Sequence, residues 1–147
     1  MSAFPGSAAE QVAVLAVNTG TASSTPLAGT AARMNRFRKA LVIFHLGDMA
    51  NETIDCIVET CDSGGTNNVT LKAATQLAGS ASANDSKQIV VAINVDEMIA
   101  SGKEYIRGKI TTGAGTGGAC VIVVLGLEPC YGPASNFDNA SVVQVKN

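Results

Sequence analysis

The sequence predicts an all-β fold, a β-sandwich or jelly roll of about eight strands with an extended N-terminal arm. Three observations predict it. Aliphatic and β-branched residues occur in short blocks of strand length, Gly, Ser, Asn or Asp closes each block, and no helical pattern alternates with the blocks as βα units would require. The predicted strands are residues 12–17, 37–46, 54–61, 69–77, 88–95, 105–112, 120–125 and 142–145.

The first 33 residues differ from the rest of the chain. They are mostly small, include Pro5 and Pro26, and contain one apolar run, VAVLAV, at residues 12–17. This composition predicts an arm, residues 1–33, with one possible strand, followed by a β-sandwich domain over residues 34–147. An arm of this kind can lie as an edge strand on its own sheet or pair with a neighbour's sheet. We expect it to be disordered in the free protein and to become ordered on a partner, by strand addition or by filling a groove.

The block at residues 37–46 is apolar on both faces. Leu41, Ile43 and His45 alternate with Val42 and Phe44 along the block. Half-exposed strands show one polar face, so this block predicts a central strand that is covered on both sides or buried at an interface.

The later blocks are separated by turn and helix signals. Residues 62–68 supply Gly and Asn for turn positions with positive φ after the half-buried block at 54–61. After the block at 88–95, Asp96 and Gly102 predict the start and end of a single helical turn. The stretch GAGTGG predicts a hairpin between the blocks at 105–112 and 120–125.

The composition excludes several classes of function. The chain has 147 residues and a net charge of −2, so it lacks the positive field of a nucleic-acid-binding protein. One short basic cluster is formed by Arg33, Arg36, Arg38 and Lys39. It is either a solvent-exposed stretch that leads into a strand or a phosphate-binding patch, and the first interpretation is favoured. The sequence contains no run of 18 apolar residues, so it predicts no membrane-spanning helix. A surface with only 15% charged residues suits a protein that packs against other copies or a partner.

Candidate catalytic and metal-binding groups lack partners. His45 has no second histidine or positioned carboxylate at a useful spacing, and a structural histidine is favoured. Asp55, Glu59 and Asp62 form an acidic stripe that matches no calcium loop. We therefore expect no enzyme activity, no cofactor and no bound metal.

The four cysteines form no CxxC pair. We interpret Cys56, Cys61, Cys120 and Cys130 as small buried hydrophobic residues of a reducing compartment. The N-terminus lacks the layout of a signal peptide, so we expect synthesis in the cytoplasm.

Three stretches carry a resemblance to a known group of proteins. They are RFRKALVIFHLGDM, TIDCIVETCDSGGTNN and VDEMIASGKEYIRGKITTGAGTGGACVIVVLG, within residues 33–132. In their order and pattern they resemble small virion proteins of tailed bacteriophages. The resemblance implies a jelly-roll-like protein that decorates or cements the outer surface of the phage head. Its implied partners are the major capsid protein and further copies of the chain, as a dimer or trimer.

The expected function is therefore that of a structural virion protein, without direct contact to nucleic acid or membrane. The alternative is a tail- or fibre-associated binding module for a host receptor or glycan. For Arg107 two interpretations stay open, an ion pair with a neighbouring subunit or a solvent-facing side chain. The expected contact residues with the capsid or with other copies are Val12, Val14, Leu15, Arg33, Arg36, Arg38, Tyr105, Arg107, Tyr131 and Phe137.

Overall fold

A computed structural model describes residues 8–49, 52–79, 83–113, 117–140 and 142–144. Within these residues nine strands form two antiparallel sheets, which confirms the predicted β-sandwich. The strands are β1 Val12–Ala22, β2 Leu27–Ala28, β3 Ala32–Arg33, β4 Phe37–Leu46, β5 Ile54–Cys61, β6 Val69–Ala73, β7 Gln88–Asn94, β8 Tyr105–Thr112 and β9 Gly118–Pro129. The helices are α1 Ala8–Gln11, α2 Val95–Ile99 and a 3₁₀ helix, Ala134–Phe137.

The chain order of the paired strands is nested. One sheet has the order β1-β9-β4-β7, and the other has the order β2-β8-β5-β6 with β3 also paired to β8. If β2 and β3 count as one interrupted strand, the first strand pairs with the last, the second with the second last, β4 with β7 and β5 with β6. The chain therefore follows the pairing order of one long hairpin that is folded across the two sheets.

The core lies between the two sheets and is mainly aliphatic. Alternate residues of β4, including Val42, Phe44 and Leu46, are fully buried, whereas the residues between them are half-buried. Within the chain β4 is therefore covered on one side, not on both as predicted; its burial at an interface stays a prediction. Gly108 of β8 sits opposite the buried residues of β4: a Cβ at this position would lie 2.6 Å from Cγ2 of Ile122 and 2.9 Å from Cε1 of Phe44. The absence of a side chain at Gly108 therefore allows the two layers to approach closely at the centre of the core.

The segment predicted as an arm contributes strands to the sandwich. β1 starts at the predicted residue but continues to Ala22, and it pairs with β9 from Val12 to Ala22 with one bulge between Val14 and Ala16. β2 and β3 add to the edge of the other sheet. β1 is thus an edge strand of its own sheet, which is one of the two placements expected for the arm, and residues 12–33 contribute strands to both sheets. Residues 1–7 of the predicted arm lie outside the described residues.

Two further predictions about connections are wrong. The stretch GAGTGG, of which residues 114–116 lie outside the described residues, does not join a hairpin, because β8 and β9 belong to different sheets. Residues 142–144 are not a strand, and residue 145 of that predicted strand lies outside the described part. The edge backbone of β1 at Val14 is instead occupied by Asp138 and Asn139.

The turns and the short helix follow their sequence signals with one shift. Gly65 and Asn67 have positive φ in the β5–β6 turn, as predicted, and Gly102 has a positive φ after α2. The helix begins after Asn94 rather than at Asp96, since the Glu97 side chain accepts a hydrogen bond from the Asn94 backbone N–H at 2.9 Å. Among the helices of the described residues, none is long and apolar enough to span a membrane.

Candidate interaction surface

The outer face of the β1-β9-β4-β7 sheet is aliphatic. Strand pairing arranges its outward positions in four rows across the sheet, and eleven of the sixteen positions are Val, Leu, Ile or Ala. The rows are Val12, Leu127, Lys39, Asn94; then Val14, Leu125, Leu41, Ala92; then Val17, Val123, Ile43, Val90; then Thr19, Val121, His45, Gln88. We call these eleven apolar positions the aliphatic face.

The aliphatic face is open within the part of the chain that the structure describes. Its members are half-buried or exposed, whereas the residues that alternate with them on β4 and β9 are buried. Val17 and Val90 on its third row are 41% and 56% exposed. A contiguous aliphatic surface of this extent is typical of an interaction site in a soluble protein.

The outer face of the other sheet is charged and satisfied within the chain. Glu59 on β5 lies opposite Arg107 on β8 and accepts hydrogen bonds from Arg107 Nε at 2.9 Å and Lys109 Nζ at 2.5 Å. Next to this triad, Lys103 pairs with Asp62 at the end of the sheet. The two outer faces of the sandwich therefore differ. One carries charged side chains that pair with each other within the chain, and the other is mainly aliphatic.

The neighbours of Glu59 favour the charged form of its carboxyl group although the residue is buried. Glu59 is only 4% exposed. Burial alone would raise the pKa of this carboxyl, but the hydrogen bonds and charges of Lys109 and Arg107 outweigh burial and hold the pKa below its usual range. Arg107 thus pairs with a carboxylate of its own chain, which corrects both sequence-based interpretations of this residue.

A second surface feature is a groove of about 260 Å³ at one end of the sandwich. The Arg36 guanidinium lies 4.8 Å from the ring centroid of Phe137, which packs edge-on against Phe37 at 5.6 Å. Arg33 pairs with Glu104 at 3.0 Å and lies 6.0 Å from the centroid of Tyr105. Within the described residues, Arg36 has no carboxylate partner, so this arginine presents its charge at the groove.

The predicted contact residues fall at different places. Five of them line the groove together: Leu15, Arg33, Arg36, Tyr105 and Phe137. Val12 and Val14 lie on the aliphatic face, whereas Arg38 and Tyr131 are exposed elsewhere. The role of all of them in contacts to a partner stays a prediction.

Most of the aliphatic face was not predicted from the sequence. Val12 and Val14 are among the expected contact residues, but the central positions Leu41, Ile43 and Val123 are not. The signal was present, because the block at 37–46 was predicted to be apolar on both faces and the run ACVIVVLGL has the same property. What the sequence could not provide was the register that places these strands side by side.

The groups that could support catalysis or metal binding are separated or already paired. His45 lies on the outer face of β4 between Val121 and Gln88. Asp55 accepts hydrogen bonds from Gln76, and Asp62 from Asn67 and Lys103. In the described residues no three His, Cys, Asp or Glu side chains are grouped as metal ligands would be.

Three of the four thiols are buried, as predicted, and unsuited to nucleophilic chemistry. Burial, followed by the charges of Cys120 and Asp55, raises the pKa of the Cys56 thiol to about 12. Burial also raises the pKa values of Cys61 and Cys120. Thiolates are the reactive form, so these cysteines act as core residues. Cys130 is exposed, which corrects its predicted burial.

Comparisons with known proteins give a likeness only to solved structures. No protein-family model matches the sequence. No curated protein matches it. A structure of Bacillus endospore appendages, disulfide-linked pili, is 11% identical with a TM-score of 0.43, covering 86% of this chain and 99% of that one. The VP2 subviral particle of infectious bursal disease virus is 11% identical with a TM-score of 0.46, covering 85% of this chain. A structure of the Gx strain of that virus is 12% identical with a TM-score of 0.40, covering 84% of this chain. The chain spans 34% of each viral chain.

Proposed function

We propose that this protein is a non-enzymatic structural protein of a virus particle. In this proposal it decorates and cements the outer surface of a bacteriophage capsid, where it binds the major capsid protein and bridges neighbouring capsomers. Its work is done by surface contacts repeated around the symmetry axes of the shell, so that many weak contacts add up to stable attachment.

The observation that carries the proposal is the aliphatic face. A monomeric protein in solution would normally carry polar residues on the outer face of each sheet of a sandwich. Here the charged face is satisfied by ion pairs within the chain, while the other presents aliphatic rows such as Leu125, Leu41 and Ala92. Such a face suits a protein that associates with other copies or with a partner.

Two further observations support the proposal. The nested strand order, β1 with β9 through β5 with β6, has the connectivity of a jelly roll, and we infer that the sandwich is one. Residues 33–132 also resemble small tailed-phage virion proteins in the order of their sequence motifs. The elements that carry the resemblance include β4 and β9, the central strands of the aliphatic face.

The copy number of the protein in purified virus particles tests the proposal. Quantitative mass spectrometry against the major capsid protein should find the chain in numbers comparable with the capsid subunits, and removal of tails should leave it on the heads. A few copies per particle, lost together with the tails, would reject the decorating role. Absence from the particles would reject a virion role altogether.

A second candidate function is a binding module for a host receptor or glycan. The groove favours it, because Arg36 and the rings of Tyr105 and Phe137 offer a cation and aromatic surfaces of the kind that bind a carboxylated sugar. Binding of the purified protein to an array of sialylated and neutral glycans would test this candidate. The variant Arg36→Ala should abolish the signal if the groove is responsible.

A further inference from the structure

We propose that the aliphatic face is the interface of a two-fold symmetric dimer, in which it packs against the same face of a second copy of this chain. The inference deepens the proposed function by naming the partner of this surface. In such a dimer each residue of the face contacts the face of the other copy in an equivalent way, as in any isologous interface. The result would be four stacked sheets with three apolar layers between them.

The area of the face agrees with what a stable dimer needs. Four strands about 4.8 Å apart, with four rows about 6.7 Å apart along them, give a plan area of about 500 Å² for all sixteen outward positions, the aliphatic face together with its polar ends. Two copies would then bury about 1,000 Å² or more, the size at which specific protein interfaces begin. The aliphatic centre and the polar ends, with Asn94 at one end and Gln88 at the other, also match the usual arrangement of an apolar core and a polar rim.

The charge of the face suits a second copy. Among the sixteen outward positions of the β1-β9-β4-β7 sheet, Lys39 is the one Lys, Arg, Asp or Glu side chain, and it pairs with Glu128 of its own chain. The two central rows contain only aliphatic residues. A face without unpaired charge is complementary to itself, because packing it against a copy desolvates no ion without a partner.

The shape of the face allows the contact as well. It belongs to a sheet whose central strands, β4 and β9, run antiparallel and carry similar branched side chains, including Ile43 and Val123. Two such sheets pack face to face at about 10 Å with their strands about 30° apart, as the layers of one sandwich do. The contact between copies would thus repeat the packing that already holds each copy together.

A matched pair of substitutions tests the inference. Val90 lies on the aliphatic face at the edge strand β7, and Val69 lies off it at the edge strand β6; both side chains are 56% exposed. We expect the unmodified protein to sediment as a dimer at about 10–100 µM. Val90→Lys should weaken dimerisation at least about tenfold, because it places an unpaired charge in the interface. Val69→Lys should leave it unchanged.

A second variant strengthens the test. Val123→Lys lies at the centre of the face, between Val17 and Ile43, and should give a monomer in analytical ultracentrifugation. Circular dichroism and the melting temperature show whether it is folded, and the more exposed Val90→Lys decides the question if it is not. A monomer before any substitution, or a dimer or trimer that Val90→Lys leaves intact, would overturn the inference.

The outcome separates the inference from the proposed function. A protein that is a monomer in solution but abundant on heads would retain the decorating role and lose the dimer. A dimer that is absent from virus particles would retain the interface and lose the decorating role. Binding of the face to isolated capsid protein, abolished by Val90→Lys while the free protein is a monomer, would assign the face to the capsid instead.

Discussion

At the residue scale, the triad of Glu59, Arg107 and Lys109 shows how this chain handles its few charges. It places two cations and one carboxylate on neighbouring strands of the same sheet face, with Glu59 nearly inaccessible to solvent. A buried ion pair adds little stability compared with apolar packing, but removal of one partner is costly because the other charges stay desolvated. We therefore expect removal of one member of the triad to cost more than the intact triad adds to the stability of the fold.

Replacement of Glu59 should destabilise the protein in a pH-dependent way. Because the pKa of Glu59 is lowered on folding, its carboxylate stabilises the fold above its unfolded-state pKa, and this stabilisation is lost as the pH falls through the folded-state pKa. Glu59→Gln should thus cost about 2 kcal/mol of unfolding free energy at pH 7. The difference from the unmodified protein should shrink as the pH falls below the ordinary range of a glutamate. Urea denaturation at a series of pH values measures both effects.

Glu104→Gln serves as the control for that measurement. Glu104 pairs with Arg33, but both side chains are about half exposed, at 55% and 51%. Exposed ion pairs contribute less than about 1 kcal/mol, so this variant should stay close to the unmodified protein. Equal losses for the two carboxylates, or a Glu59→Gln effect that does not depend on pH, would contradict the role given to the triad.

At the scale of elements, the sequence predicted the strands whose own apolar residues alternate. It did not predict the strand residues that depend on pairing with a neighbouring strand. β4, β5 and β8 begin and end where the pattern of apolar residues places them, because buried positions alternate along β8, along β4 from Ala40 and along β5 as far as Val58. β1 runs five residues further than predicted, through Asn18 to Ala22, where small and polar residues give no strand signal. Its antiparallel partner β9 is also longer than predicted, and backbone pairing with β9 holds the added residues of β1 in the sheet.

The same reasoning explains why residues 142–144, the described part of the predicted strand 142–145, do not form a strand. The stretch VVQV has strand-forming residues, yet a strand needs a free edge to pair with. At Val14 the edge of β1 is already closed, because its N–H donates to the Asp138 carboxylate and its C=O accepts from the Asn139 N–H. Local propensity is thus overridden by the supply of unpaired backbone groups.

Hydrogen exchange tests whether β1 is part of the free fold. Since β1 pairs with β9 over its whole length and buries Ala13, Ala16 and Ala22, the amides of β1 that donate to β9 should exchange nearly as slowly as those of β9, while amides on its outer edge exchange faster. The measurement is exchange followed by mass spectrometry on the free protein at low concentration. The β5–β6 turn around Gly64 gives the fast reference. Exchange of β1 as fast as in this turn would restore the predicted arm that orders only on a partner.

At the scale of the whole molecule, the two outer faces of the sandwich differ in character. One sheet carries the Glu59 triad and the Lys103–Asp62 pair, and the other carries the aliphatic face. Because the charge is concentrated on one side, association through the other leaves a polar surface outside. The aliphatic core and the aliphatic face arise from the same feature of the sequence, strands that are apolar on both sides, so the two cannot be separated by pattern alone.

This difference between the faces predicts how association responds to solution conditions. Burial of aliphatic surface depends little on ionic strength, is strengthened by excluded salts such as sulfate and weakens on cooling. The dimer affinity, measured by sedimentation equilibrium, should therefore change less than about threefold between 0.05 and 0.5 M NaCl, rise in ammonium sulfate and fall between 25 and 5 °C. The Val69→Lys variant, altered outside the aliphatic face, should show the same three responses and so controls for general effects of added charge. A steep loss of affinity with NaCl would instead indicate ion pairs between copies, and would move the interface to the charged sheet or to the arginine groove.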